Sequence, residues 1–511
     1  MKVLRWPLLA ASALSWTALS TLLGACASDD SAASLDGLDD AAVAVPVNDA
    51  GLGDANVDPD AGPCTDDCDW FPSTCAPDTL CPSGLFDPTN PAAGLDLRTR
   101  IHVIRGRAAS DVWLAGALGA VAHFDGTSWK TSDLGTQETQ RVLWLPSSGE
   151  IAFGNLSRLF TRRLDVGDGG ADAGVSAGGW SLRGAAPVPA GSSSEVTAAW
   201  SMPGSDVLWL ATPIDLWRLR LTPEARLEPV RGVPASVYVP SSHAAEIFRR
   251  QSDGDGGSAW VADYIADDAA NPGDNFYILG ASGSGQDDVW FGGSRGQFDA
   301  EGGFFACPLV VHKSAEGYRH AVDNVVNQAG HRNNRSFNIC MPKAGSPSFS
   351  LSFEYPGYGT ITRGWTNGGM VTNIASAGPN RAVGLMGRNP GDPFTYMSSD
   401  DAGVARVNTV NVSVPRGGLH TYLSSVWVHG TTAWFSGWGL VIKSDDGPEK
   451  WSRGFGLLKP EDNVPAAPTY ETSTIALNGA AIDRPFHQVR GPSNTNLWAI
   501  GAGYALHKTT P

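Results

Sequence analysis

Three histidines recur at one place in a repeated pattern, in the strings VAHFD (His123), VVHKS (His312) and ALHKT (His507). Converging imidazoles would make a metal site, since neutral imidazole is a common ligand for zinc, copper and iron. Equivalent positions of a repeat are related by rotation, however. Each histidine also falls on the third strand of its unit, two strand spacings of about 4.8 Å out from the first. Such side chains diverge, so no metal is expected there. Two strings fit the nucleophile-elbow pattern G-x-S-x-G, at Gly174–Gly178 and Gly292–Gly296. An elbow needs a strand, a sharp turn and a helix. The first string lies in an Asp/Gly/Ala-rich stretch, and the second runs on into QFDAEGG, which will not form a helix. Asp54-Ala-Asn56-Val-Asp58-Pro-Asp60-Ala-Gly62 alternates oxygen ligands as calcium loops do, but Pro59 stands where such loops need glycine and no Glu closes it. It reads as solvated linker. No cofactor is expected.

Of the seven cysteines, Cys26 ends an apolar leader. Lys2 and Arg5 give that leader a positive start, and Leu8 to Leu23 carries no charge. Leu23-Gly24-Ala25-Cys26 resembles the bacterial lipobox. The resemblance implies that residues 1–26 are a lipoprotein signal and that Cys26 becomes the lipid-bearing N-terminus. Ala27 lacks the Asp of an inner-membrane retention signal, which favours the outer membrane. No later segment approaches the ~20 apolar residues of a bilayer span, so the lipid would be the attachment. The other six cysteines are an even number in an exported chain. Cys64, Cys68, Cys75 and Cys81 crowd together, whereas Cys307 and Cys340 stand apart. Two bridges within the cluster and one between the distant pair suit an oxidising compartment. A zinc reading of the cluster lacks a CxxC knuckle. Three connectivities within the four remain open.

The charge ledger isolates a leader from a nearly neutral body. The 511 residues carry 36 Lys+Arg and 52 Asp+Glu, a net of −16, which excludes a basic nucleic-acid binder. Residues 27–97 hold 15 Asp and no Lys, Arg or Glu. Their Asp/Ala/Gly composition makes 27–63 a disordered tether and 64–93 a small Cys-rich segment. Gly167–Gly179 repeats that composition as a loop insertion.

From Ile101 a degenerate unit recurs, and it sets the fold expected for 94–511. The clearest copy is IHVIRGRAASDVWLAGALGAVAHFDGTSWK, Ile101–Lys130. Others are Phe276–Arg319 (DDVWFGG, PLVVHKS), Leu423–Arg453 (TAWFSGWG, LVIKSDDG) and Phe486–Pro511 (LWAIGAG, YALHKTT). Weaker copies centre on Ala152–Gly154, Val207–Thr212 and Val383–Gly387. Each offers three or four short alternating strands joined by Gly/Asp/Ser turns. A lone small sheet exposes its apolar face, so the units must pack on one another. Radial packing predicts an all-β propeller of six to eight blades, seven fitting best; a solenoid or paired sandwiches are the alternatives. The short segment Gly94–Arg100 is expected to pair with the last copy and close the ring. A Cys307–Cys340 bridge should staple a loop containing HRNNRS.

The units resemble the Asp-box repeats of bacterial neuraminidase-type propellers. Ser399, Asp401 and Gly403 fit the S-x-D-x-G core; Ser444, Asp445 and Gly447 with Trp451, and Asp125 and Gly126 with Trp129, are shifted relatives. In that family these residues shape turns and pack blades, and they are not catalytic. The resemblance also implies a sialidase-like glycoside hydrolase as the enzymatic alternative. That chemistry needs an Arg cluster and paired carboxylates. The family's Arg-Ile-Pro motif is missing, and Arg363, Glu354 and Tyr355 form no pattern. The expectation is therefore a monomeric, lipid-anchored propeller lipoprotein of the cell envelope, binding a protein or glycan and no nucleic acid.

Overall fold

A strand buried on both faces has no polar side to show water, and the repeat's central strings have this character. Asp111–Gly116 (DVWLAG) and Asn496–Gly501 (NLWAIG) are each buried from their second residue onward. The computed structural model describes residues 80–86, 94–164, 174–184, 196–211, 274–298, most of 304–344 and 368–445, and 485–509. Between these it describes only the backbone of further strands. These residues belong to one unit, Cys68–Pro511.

The strands form antiparallel meanders in chain order, except in the sheet containing Met370–Ser376. At its outer edge Phe349–Tyr355 pairs in parallel with Ala405–Asn411 and carries Gly359–Arg363 beyond it. The first joins Ile101–Ala108, Asp111–Gly116, Val121–Phe124 and Trp129–Thr131. The next runs from Val142–Trp144 to Ser181–Gly184, and another from Ala198–Trp200 to Leu227–Pro229. A five-stranded sheet follows, from Asn275–Gly285 to Arg335–Pro342. Then come sheets led by Met370–Ser376, Leu423–His429 and Phe486–Ser493. Each sheet's first strand is its inner one. Among the described residues there is no α-helix, only a 3-10 turn at Ala117–Gly119.

The core lies between sheets. Trp113 and Val103 pack on Leu143, Phe160 and Trp180 of the next sheet; Trp144 and Phe153 pack on Leu208 and Leu210. The same handover continues through Trp209 to Phe291, Trp290 to Ile374, Val383 to Phe435, and Trp434 to Leu497. The last handover returns to the start, because Trp498 and Ile500 pack on Ile101, Ile104 and Leu114. Sheets that pack successively and close on themselves make an all-β propeller.

One glycine of the unit is required by this geometry. A Cβ on Gly293 would lie 1.8 Å from the Tyr277 carbonyl oxygen, and one on Gly154 2.0 Å from that of Thr139. These glycines let the second strand press against the start of the inner one. Inner strands bulge there, with register shifts at Ile101/Val103, Ile278/Gly280 and Phe486/Gln488. A bulge re-aims the extra residue's side chain.

Two expectations are corrected. The outer strand of the last sheet is Cys81–Pro82, from the Cys-rich segment, and not Gly94–Arg100. Cys81 pairs with His507 and Pro82 with Leu506. Proline is tolerated because an edge strand needs no outward N–H. Gly94–Arg100 contributes only the Arg100–Ala502 bridge and a Gly503 N–H donated to the Thr99 carbonyl. The segment between Cys307 and Cys340 is not a loop either. It is the long hairpin of Gly317–Arg332 and Arg335–Pro342, with HRNNRS at its tip. The Cys307–Cys340 disulfide is present, with Cα atoms 5.4 Å apart. Strand Phe304–Ser314 pairs with Gly317–Arg332 only as far as Leu309–Asp323. Beyond that point the hairpin leaves the sheet, and its returning strand brings Cys340 back to Cys307.

Candidate functional site

The three repeat histidines stay within their own sheets. His123 stacks on Trp113, His312 on Trp290 and His507 on Trp498. The first residue of the second strand organises two of these pairs. Asp111 Oδ1 accepts from Trp113 Nε1 at 2.9 Å and His123 Nε2 at 3.0 Å. Asp288 Oδ1 accepts from Trp290 Nε1 at 3.0 Å and His312 Nε2 at 2.8 Å. Burial raises the Asp288 carboxyl, but bonds from His312, Ser284 and the Asn380 N–H outweigh it and hold the group below the usual range. No group of metal-ligating side chains occurs among the described residues.

Other residues singled out from the sequence lie at turns. Asp125 Oδ1 accepts from the Thr127 and Ser128 amides at 3.0 Å each, and Gly126 has φ +99°. Trp129 donates to Ser83 Oγ at 3.0 Å and packs edge-on against Trp498. Asp445 accepts from Thr432 Oγ1 at 2.7 Å and pairs with Lys443; Ser444 ends strand Leu440–Ser444. Ser399 ends strand Pro393–Ser399 and pairs with Ala405. Asp401, Gly403, Gly447 and Trp451 lie outside the described residues, as do Cys26, Cys64, Cys68 and Cys75. Cys81 is disulfide-bonded. Ser294 of the second G-x-S-x-G string sits buried inside strand Asp288–Phe298, with no turn or helix beside it. Glu354, Tyr355 and Arg363 belong to a hairpin described by its backbone alone.

What the sheets bring together is on the axis. The inner strands enclose a cavity of about 360 Å³ whose lining includes Arg105, Trp200, Ser282, Trp427 and Arg490. These five share one register level. Each lies opposite the second-strand tryptophan of its own sheet: Trp113, Trp209, Trp290, Trp434 and Trp498 respectively. Arg105 and Arg490 stand on neighbouring inner strands, because the first and last sheets adjoin. Arg105 Nη1 donates to the Ile104 carbonyl at 2.8 Å and to Gln488 Oε1 at 3.4 Å. Arg490 Nε is buried with no partner. Burial pushes Arg490 down to about 10. Burial, and then the charge of Arg490, push Arg105 well below its ordinary value.

A second basic group lies nearer the start of the same strands. His102 and His487 occupy the two bulges. Burial, followed by Arg100, Arg141 and His487, pushes His102 down to about 3; burial, followed by Arg100, pushes His487 down to about 4. By contrast, the strands Ile101–Ala108, Val142–Trp144, Ala198–Trp200, Asn275–Gly285, Met370–Ser376, Leu423–His429 and Phe486–Ser493 contain no Asp or Glu. In a chain of net −16 this is a segregated distribution.

The sequence reading overlooked these residues. Their signal is a shared string, H-x-[IV]-R-G, in Ile101-His-Val-Ile-Arg-Gly106 and Phe486-His-Gln-Val-Arg-Gly491. Only ring closure makes the two copies neighbours.

No family model matches the chain, and no curated protein matches it. Solved structures do. YCF48 from Cyanidioschyzon merolae is 11% identical, with a TM-score of 0.41, covering 82% of this chain and 98% of its own. YCF48 bound to a D1 peptide is 11% identical, with a TM-score of 0.41, covering 81% and 93%. The WD40 propeller domain of Doa1 is 10% identical, with a TM-score of 0.39, covering 84% and 96%. The likeness to these chains is one of fold alone.

Proposed function

We propose that this chain is a lipid-anchored binding module of the bacterial cell envelope, with the axial pocket and its mouth as the binding face. The ring is read as seven blades, one for each recognised copy of the repeat, with the Asp-box-like turns as structural parts. Cys26 carries the lipid, the outer membrane is its location, and 27–63 is the tether. The observation that carries the binding reading is the axial cavity, framed by side chains from several separate inner strands. Concave sites built by convergent elements are where ligands bind. Its described lining has no Asp or Glu, whereas glycoside hydrolysis uses two carboxylates. The partner is a protein or glycan of the envelope.

The test is in vivo cross-linking from a photo-reactive residue at Pro203 or His429, both in the pocket lining. Expected is one discrete adduct from these positions and none from an exposed site such as Leu118. Adducts that are the same from all three positions, or absent from all, would sink the proposal.

A further inference from the structure

We propose that the axial pocket binds a small organic carboxylate, held by the guanidinium groups of Arg105 and Arg490. This rests on the binding reading above and adds a small ligand, distinct from the macromolecular partner, to the same binding face.

The argument starts from how the protein treats its other enclosed arginines. Arg295, fully buried, pairs with Asp274 at 2.5 Å and Asp323 at 2.9 Å. Arg107 pairs with Asp111 at 2.6 Å and Glu150 at 2.7 Å. Arg162 faces Glu150 at 3.4 Å. Enclosed guanidinium groups are thus matched with carboxylates, as the cost of burying an unpaired charge requires. Among the described residues, Arg105 and Arg490 depart from this pattern. Arg105 has only the neutral oxygens of Ile104 and Gln488, and Arg490 Nε has none. Two like charges also stand on adjacent strands, which disfavours both. An incoming carboxylate would supply the missing acceptors, and guanidinium groups take carboxylates in two-pronged geometry.

The surroundings favour the same ligand. The described inner strands carry no Asp or Glu, so no anionic side chain of theirs stands against Arg105 and Arg490 along the axis. A channel lined by one sign of charge focuses its field and concentrates counter-ions. The rest of the lining mixes the hydroxyls of Ser201, Ser282, Ser284 and Ser376 with aromatic and apolar walls, Trp200, Trp427, Pro203 and Pro492 among them. A bare inorganic anion would leave those walls without a partner. A carboxylate carrying an apolar body uses both.

The test is calorimetric titration and thermal melting of the full-length protein, with acetate, hexanoate, benzoate and indole-3-acetate. Each is paired with its neutral amide, and inorganic phosphate is the purely inorganic probe. Expected is saturable binding and a rise in Tm for at least one carboxylate with an apolar body, with its amide at least tenfold weaker. Arg105→Gln or Arg490→Gln should weaken that carboxylate at least tenfold. Arg490→Met without ligand should raise the Tm by a few degrees, because it removes an uncompensated charge. The proposal is overturned if no carboxylate binds, if amides bind equally, or if phosphate alone binds. It is overturned too if Arg490→Met lowers the Tm, which would make the guanidinium a structural part. A discrete cross-linked partner alongside failed titrations would refute only the carboxylate and leave the binding face standing.

Discussion

Trp498 and His507 lie face to face, with ring centroids 3.6 Å apart and planes 2° from parallel. They are cross-strand partners, and Asn496 Oδ1 receives His507 Nε2 at 3.1 Å. The same row occurs as Asp111, Trp113 and His123, and as Asp288, Trp290 and His312. Only in the last sheet is the first member an amide. There Trp498 Nε1 is buried with no partner, and burial pushes His507 down to about 4.

Asn496→Asp should therefore complete the third row. A carboxylate would accept from both rings, so the Tm should rise by one or two degrees and the His507 pKa should climb. Imidazole NMR titration of the variant checks the second effect. An unchanged His507 titration would mean that the row is not set by this residue.

Asp288 does more than its counterparts, because it also takes the Asn380 N–H at 3.2 Å from the following sheet. Asp288→Ala leaves two buried side-chain donors, Trp290 Nε1 and His312 Nε2, and the Asn380 amide unpaired, while the exposed Ser284 hydroxyl can turn to water. Each unsatisfied buried group costs about 1–3 kcal/mol, and relaxation and water will recover part of the total. A loss of about 3 kcal/mol in urea unfolding is expected on that basis, larger than for Asp111→Ala.

Acid should loosen the ring at its closing seam. His102, His487 and His507 titrate near 3, 4 and 4 when folded, against an ordinary value of 6.5. Between pH 6.5 and about 4 the unfolded chain binds protons that the folded one refuses. Stability therefore falls as pH drops through that window. His102 and His487 face Arg100, and His102 also faces Arg141, so these charges add to burial. His487→Gln should flatten the dependence of Tm on pH between 7 and 4. An unaltered slope in the variant would rule out this origin.

Removing the Cys307–Cys340 bridge should free the hairpin from its sheet. Its ends are 33 residues apart, a span for which loop closure contributes about 3–4 kcal/mol in the entropic account. The double Cys→Ala variant should unfold at correspondingly lower urea. Hydrogen exchange should rise first at Asn324–Val326, where the hairpin departs.

The propeller was legible in the sequence because its unit writes burial into composition. DVWLAG and LWAIG state a strand covered on both faces, and turns such as Asp125-Gly126 separate it from the next. The distant cysteine pair was legible from parity and isolation. What escaped were features made by contacts between distant segments. Cys81–Pro82 is two residues long and carries a proline, so nothing local marks it as a strand. The 317–342 hairpin was hidden by its polar HRNNRS tip. Arg105 and Arg490 looked like ordinary alternating polar positions, because a strand's inward and outward faces read alike until the axis is known.

The ring is closed by the earliest strand among the described residues. Cys81–Pro82 runs antiparallel to Tyr504–Thr509, and Ser83 adds an amide donated to the Ala505 carbonyl at 3.2 Å and a hydroxyl donated to it at 2.8 Å. Anything attached upstream of residue 80 is therefore connected to the last sheet by its outermost edge. A pull on that attachment loads this short ladder first, before any sheet-to-sheet core. The disulfide at Cys81 fastens the chain at the head of that ladder. Mechanical tension thus meets the seam where the first and last sheets join, next to the strands that carry Arg105 and Arg490.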